Sequence, residues 1–185
     1  MDGNGRWGIK KRKSRNYGHL KGVETVKKIV SSCINLKVPV VTFYVFSSEN
    51  WKRPKKEITY LFKLIRNYFS NEIESIIKED IKINIIGEIS KLSNEIKAIL
   101  KKTTNLTKKN KKIIVNLAIN YGSKNEIIFA SKKTKKKLNK KNLKLNLYTK
   151  NLPNPDILIR TGGHQRLSNF MLWQLAYTEL YFLNK

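Results

Sequence analysis

PVVTFYVF, residues Pro39–Phe46, is the stretch on which the fold turns. After the proline, each residue is β-branched or aromatic, which favours a buried strand over a helix. The run is far too short to span a bilayer. Its character changes at once in SSENWKRP, Ser47–Pro54, where small hydroxyls, an acid, an amide, an indole and a guanidinium follow in close order. A buried strand ending in hydrogen-bonding side chains suits an α/β protein, in which ligands bind beyond the carboxyl ends of strands.

Working outward, the segment His19–Leu36 places Val23, Val26, Val30, Cys33 and Ile34 at helical spacing. Glu57–Lys78 predicts a long amphipathic helix, with Ile58, Leu61, Phe62, Ile65, Tyr68, Phe69, Ile73 and Ile76 on one face. A short strand over Lys82–Ile86 ends at Gly87. A helix over Leu92–Thr103, a strand over Lys112–Ala118 and a helix over Ser123–Leu138 follow. The basic stretch 132–150 reads as a solvated helix end and connector. Asp156–Ile159 and Leu180–Phe182 complete the strands, and the polar, glycine-containing residues 1–18 read as a loop. Strands alternating with helices predict an α/β fold in a single domain over 1–185, with a mainly parallel central sheet and flanking helices.

The chain has 185 residues and a formal charge of +26, from 39 Lys plus Arg against 13 Asp plus Glu. Such a charge suits an anionic partner: nucleic acid, a membrane surface or a phosphate substrate. Yet Lys, Asn and Ile crowd the chain together, and all three have A/T-rich codons, so compositional drift accounts for the excess without a binding role. The few arginines are therefore more informative than any lysine. The lone Cys33 cannot form an internal disulfide, which fits a reducing cytoplasm, and it reads as a small core residue. No signal peptide is evident.

Three segments carry chemistry. In MDGNGRW, two glycines flank Asn4 and let the backbone approach a ligand, while Arg6 and Arg15 can contact phosphate oxygens. A helix N-terminus near His19 favours an anion. The carboxylate of Asp2 beside such groups would repel a diphosphate unless Mg2+ lay between them. The second segment is Phe46–Pro54. In the third, RTGGHQRLSNF, Arg160 and Arg166 flank a Gly-Gly turn as a second anion cradle, and Glu179 supplies another carboxylate for a metal.

MDGNGRW, GHLKG, FSSENWKRP, NYGSKNEI, PDILIRTGG with RLSNFMLWQ, and ELYF stand in an order and spacing that resemble the cis-prenyltransferases, the undecaprenyl diphosphate synthases in particular. The resemblance covers almost the whole chain. It implies an enzyme that condenses isopentenyl diphosphate with an allylic diphosphate, usually farnesyl diphosphate, to a long cis-polyprenyl diphosphate, the lipid carrier for cell-wall synthesis. Gly3, Asn4, Gly5, Arg6, Trp7, Arg15 and His19 would surround the allylic diphosphate. Arg160, Arg166, Leu167 and Ser168 would hold isopentenyl diphosphate. Asp2 would be the central Mg2+-linked acid, with Glu179 as a second ligand. Ser47, Ser48, Glu49, Asn50, Trp51 and Arg53 would line the reacting centre, Asn50 orienting substrate or relaying the proton to a phosphate oxygen. An apolar tunnel for the growing chain would form from the face of helix 57–78 and the strand Val40–Phe46. The resemblance further implies a cytoplasmic homodimer with peripheral membrane contact for product release.

The chain departs from the family pattern in three places. It is expected to lack the family's first strand, and Asp2, near a chain end that would fray, is expected to need an upstream apolar strand of about five residues as its anchor. His164-Gln165 stands where the family shows Glu followed by His or Gln, so His164 falls one place away from the metal-assisting position. The family's basic C-terminal segment is also expected to be missing. Two other function classes compete. A nucleic-acid-binding protein would interleave aromatics with Lys on a platform, whereas here the Lys are spread through helices. A non-catalytic subunit of the same family would be expected to lose Asp2 or the GNGR loop, and both are present.

Overall fold

The computed structural model describes residues 2–135 and 137–184. Three parallel strands form the main sheet: β1 (Val40–Ser47), β2 (Ile81–Ile86) and β3 (Ile113–Tyr121), in the order β1-β3-β2. β3 is central because it is the strand buried along almost its whole length, with Ile113, Val115 and Leu117 through Tyr121 all shielded. β4 (Ile157–Arg160) and β5 (Glu179–Phe182) form a second, two-stranded parallel sheet. The expected parallel α/β architecture is therefore present, but its strands divide between two sheets. At the end of β1 the register with β3 shifts between Tyr44 and Phe46, so the strand leaves the ladder irregularly where the polar SSENWK segment begins.

Two long helices cover the sheet, α2 (Arg15–Asn35) and α3 (Lys55–Lys78), with α4 (Asn94–Thr107) beside α3. α5 (Ser123–Lys133) and α6 (Lys140–Lys144) pack on one another and bury Ala130 and Leu143. The main core joins Phe43 and Phe46 of β1 with Phe69 and Ile76 of α3, Leu100 of α4 and Ile113, Val115 and Ile119 of β3. Cys33 packs against this core, partly buried, and burial pushes its thiol pKa up.

Several boundaries correct the sequence reading. Residues 1–18 are not all loop, because Asn4–Lys10 form a helix, α1. Its glycines gave no helical signal, yet its stability comes from packing on α2 rather than from propensity. α2 starts at Arg15, four residues before the expected His19, because the Ser14 hydroxyl accepts the Tyr17 N–H as an N-cap. α4 likewise starts at Asn94, capped by Ser93, and runs on to Thr107. β3 continues to Tyr121, past the expected Ala118. α5 ends at Lys133 rather than Leu138, and the basic connector contains the short α6.

α1 and α2 approach closely enough that backbone touches backbone. A β-carbon on Gly18 would collide with the Asn4 carbonyl, and one on Gly8 with the Ser14 carbonyl. Gly18→Ala should therefore push α1 off α2 and cost about 1–3 kcal/mol of stability, as overpacking does. Urea denaturation is the check, and an unchanged midpoint would mean the helices have room to separate.

Candidate active site

Asp2 is tied to the end of β4. Its backbone N–H donates to Thr161 Oγ1 at 3.1 Å, and the Thr161 hydroxyl donates to the Asp2 carbonyl at 2.9 Å. Arg160 NH2 donates to Asp2 Oδ2 at 2.8 Å, the Gly3 N–H donates to Oδ1 at 2.6 Å, and Arg6 NH2 lies 3.5 Å from Oδ1. These bonds tie Asp2 to the end of β4. Burial alone would raise the Asp2 pKa, but the Arg160 and Gly3 hydrogen bonds and the charges of Arg160 and Arg6 outweigh it and hold the carboxyl below its usual value. Asp2 is ionised at neutral pH and keeps part of its surface open.

Arg160 also donates through NH1 to Ser168 Oγ at 2.9 Å, so one guanidinium bridges the opening loop and the RLSN turn. That turn is unusual. Ser168, Asn169 and Met171 all have positive φ, at 49°, 62° and 45°. Asn169 holds it in place: Nδ2 donates to Glu49 Oε1 at 2.7 Å, Oδ1 accepts the Lys124 N–H, and the Asn169 carbonyl accepts the Ser123 N–H. Arg166 is exposed on the same turn and makes no ion pair among the described residues, and Leu167 packs inward against the second core cluster. His164 and Gln165 are exposed.

The SSENW segment folds as a single 3-10 turn, Ser48–Lys52, after β1. Asn50 Oδ1 accepts the Ser47 N–H at 3.1 Å, which leaves its NH2 as the group available to substrate. Trp51 packs edge-on to Phe46 and tilted against Phe62, and donates its indole N–H to Asn120 Oδ1 at 2.8 Å. Asn120 in turn donates to the Glu88 carbonyl.

A second group of cations gathers around Glu57 at the start of α3. Arg15 donates through Nε and NH2 to both carboxylate oxygens, at 3.0 and 3.2 Å. Arg53 NH1 donates to Oε1 at 3.1 Å, and His19 Nε2 lies 3.1 Å from the same oxygen. Trp7 stacks on Tyr17 at a ring separation of 6.1 Å. The Arg15 guanidinium lies against Gly5, where a β-carbon would come within 3.0 Å of it.

A cavity of about 130 Å3 opens beside Asn4 and His19. Asn4 and His19 contribute polar groups to its lining. The rest is almost wholly apolar: Val23 and Val26 of α2, Phe43 through Phe46 of β1, Leu61, Leu64, Ile65, Tyr68 and Phe69 of α3, and Leu117 and Ile119 of β3. The expected α3–β1 lining is present, and α2 and β3 add walls that the sequence reading did not assign.

Glu179 stands apart from this arrangement. It pairs with Ile157 at the start of the β4–β5 ladder, whereas Asp2 binds Arg160 and Thr161 at the other end. The separation is three residues, on the order of 10 Å along a strand. Among the described residues, no three His, Cys, Asp or Glu side chains gather as a metal group. Asp2 alone still suits Mg2+, which takes one or two carboxylates and completes its shell with water and substrate phosphate. Its four lone-pair positions are only partly used by Arg160, Gly3 and Arg6. The sequence reading missed Thr161, Asn169 and Glu57 as site builders. Thr161 and Asn169 lie within RTGGHQRLSNF and Glu57 just past FSSENWKRP, but only tertiary structure shows what they touch.

A family model described as putative undecaprenyl diphosphate synthase matches residues 1–185. An isoprenyl transferase of Clostridium tetani is 44% identical over 194 residues, covering 100% of this chain and 76% of that protein. A ditrans,polycis-undecaprenyl-diphosphate synthase of Haemophilus influenzae, (2E,6E)-farnesyl-diphosphate specific, is 43% identical, covering 98% and 80%. Among solved structures, lavandulyl diphosphate synthase from Lavandula x intermedia with dimethylallyl diphosphate superposes with a TM-score of 0.95 at 29% identity, covering 100% of this chain and 84% of that one. A probable undecaprenyl diphosphate synthase from Campylobacter jejuni gives 0.80 at 38% identity, covering 87% and 78%. Joined to a site that holds an ionised carboxylate, two groups of cations and an apolar cavity, a match of this length places the chain in the undecaprenyl diphosphate synthase family of prenyltransferases.

Proposed function

We propose that this chain condenses isopentenyl diphosphate with an allylic diphosphate, farnesyl diphosphate by preference, to a long cis-polyprenyl diphosphate that serves as the lipid carrier for cell-wall synthesis. The observation that carries the reading is the cavity, whose apolar walls meet polar groups at Asn4 and His19, both within the segments expected to hold a diphosphate. A substrate with an anionic head and a hydrocarbon tail fits both halves. The farnesyl preference follows the printed specificity of the Haemophilus relative.

The residues divide the chemistry. Gly3, Asn4, Gly5, Arg6, Trp7, Arg15 and His19 bind and orient the allylic diphosphate, and Arg160, Arg166, Leu167 and Ser168 hold isopentenyl diphosphate. The double bond of isopentenyl diphosphate attacks the allylic carbon, the C–O bond to the leaving diphosphate breaks, and a proton departs from the new chain. Guanidinium groups oppose the charge that grows on the leaving oxygens. With Oδ1 occupied by the Ser47 N–H, Asn50 presents its NH2 as a donor, so it orients a substrate oxygen and the proton passes to diphosphate. Ser47, Ser48, Glu49, Trp51 and Arg53 complete the walls of the reacting centre. Asp2 would hold Mg2+, and Glu179, at the opposite end of the β4–β5 ladder, would not reach the same ion from within this chain. Mg2+ when bound supplies positive charge to the diphosphate oxygens. Pairing two substrates in one cleft adds the proximity contribution.

A cytoplasmic homodimer making peripheral contact with the membrane belongs to the same proposal. It is compatible with the finding that, among the described residues, no helix is long and apolar enough to cross a bilayer. The direct test is incorporation of radiolabelled isopentenyl diphosphate in the presence of farnesyl diphosphate and Mg2+. Absence of extractable labelled polyprenyl product would overturn the proposal.

Asp2→Ala should lower kcat at least tenfold, a loss of about 1.4 kcal/mol or more of transition-state stabilisation, with the far-ultraviolet circular dichroism spectrum unchanged. Retention of more than about a tenth of the wild-type kcat would remove Asp2 from the central role. Arg160→Lys and Arg166→Lys keep charge but lose the planar fork. Each should raise the KM for isopentenyl diphosphate more than that for farnesyl diphosphate. A rise confined to the allylic substrate would reverse the assignment of the two sites.

A further inference from the structure

Glu57 is a carboxylate in the wrong place for a residue that touches an anionic substrate. It is 9% exposed, sits in the first turn of α3, and gathers three basic side chains from two other segments: Arg15 and His19 of α2, and Arg53 after the 3-10 turn. Among the described residues, Glu57 is the acid with which all three pair. Left to themselves, two guanidinium groups and an imidazole this close would repel one another and swing into solvent. The geometry points to Glu57 as the positioning residue that holds Arg15 and His19 in the arrangement that meets the allylic diphosphate, and ties Arg53 of the reacting centre to the same carboxylate.

Donor capacity supports this. Each guanidinium carries five N–H donors. Arg15 spends one from Nε and one from NH2 on Glu57, and Arg53 spends one from NH1. The remaining donors stay available while the planes are fixed. Arg15 remains 46% exposed and Arg53 34% exposed, so the paired edges face the protein and the cations are still open to a ligand. With His19 neutral, the group carries one net positive charge, which leaves attraction for an anion. Burial lowers the His19 pKa, Glu57 acts against that, and Arg53 and Arg15 reinforce it. The Glu57 carboxyl itself, despite burial, is held below its usual value by Arg15, His19 and Arg53. The charged groups that act most on this imidazole are Glu57 from α3, Arg15 from α2 and Arg53 from the segment before α3.

The inference rests on the proposed reading of Arg15 and His19 as allylic-site ligands, and the test separates the two. His19 and His164 are the only histidines in the chain, so the His19 imidazole signals can be followed individually by NMR. The probe is inorganic pyrophosphate without metal. In the wild type, pyrophosphate should raise the His19 pKa, and an unmoved His19 would overturn the diphosphate-site reading itself. Glu57→Gln removes a negative charge, which by Coulomb attraction alone should tighten pyrophosphate binding. If Glu57 positions the cations, binding monitored at His19 should instead weaken at least tenfold, and the His19 pKa of the free protein should fall. Pyrophosphate binding as tight as in the wild type, or tighter, would overturn the positioning role while leaving the site reading intact. Should Glu57→Gln fail to fold, Glu57→Asp keeps the charge but shortens the reach. The same tenfold weakening is expected, and wild-type affinity would overturn the role.

Discussion

One guanidinium joins the two halves of this site. Arg160 ends β4 and contacts both the carboxylate of Asp2 and the hydroxyl of Ser168. The opening segment, the short second sheet and the RLSN turn therefore meet at a single side chain. Its planar shape matters, because two fixed edges can serve two partners at once, which an ammonium on a flexible stem would do poorly. Around that junction the parallel sheet sets the rest. β1, β3 and β4 deliver SSENW, Asn120 and the Arg160 turn from their carboxyl ends, where α/β proteins place their ligands.

The two cation groups differ in kind. At Asp2 the carboxylate is partly open, and its cations leave room for a metal. At Glu57 the carboxylate is buried beneath its partners. The acid proposed to meet a metal and the acid proposed only to hold cations are both carboxylates ringed by basic groups, and exposure is what distinguishes them.

The sequence disclosed long-period features better than local contacts. PVVTFYVF predicted β1, and the spacing of Ile58 through Ile76 predicted α3, because burial imposes a repeat that residue types reveal. Asn4–Lys10 did not show its helix, since two glycines and a single turn of pattern carry no periodic signal, and packing on α2 supplies the stability. The division of five strands into two sheets was equally hidden, for pairing partners far apart in sequence leave no mark on composition. In the site, arginines stood out against a lysine-rich background and drew attention to Arg6, Arg15, Arg53, Arg160 and Arg166. Thr161 and Asn169 did not, because they act on backbone and on other polar groups rather than by charge.

The left-handed backbone at Ser168, Asn169 and Met171 has a consequence for how this family member could be altered. Three non-glycine residues in four occupy a region that costs of order 1–3 kcal/mol each, so this turn is held by its neighbours against its own preference. Glycine would relieve that strain only by deleting the contacts that impose it: the Asn169 amide that holds the turn, the Met171 side chain buried in the second core cluster, and the Ser168 hydroxyl on Arg160. Change in this turn is therefore confined to side chains that keep those contacts while accepting a left-handed backbone.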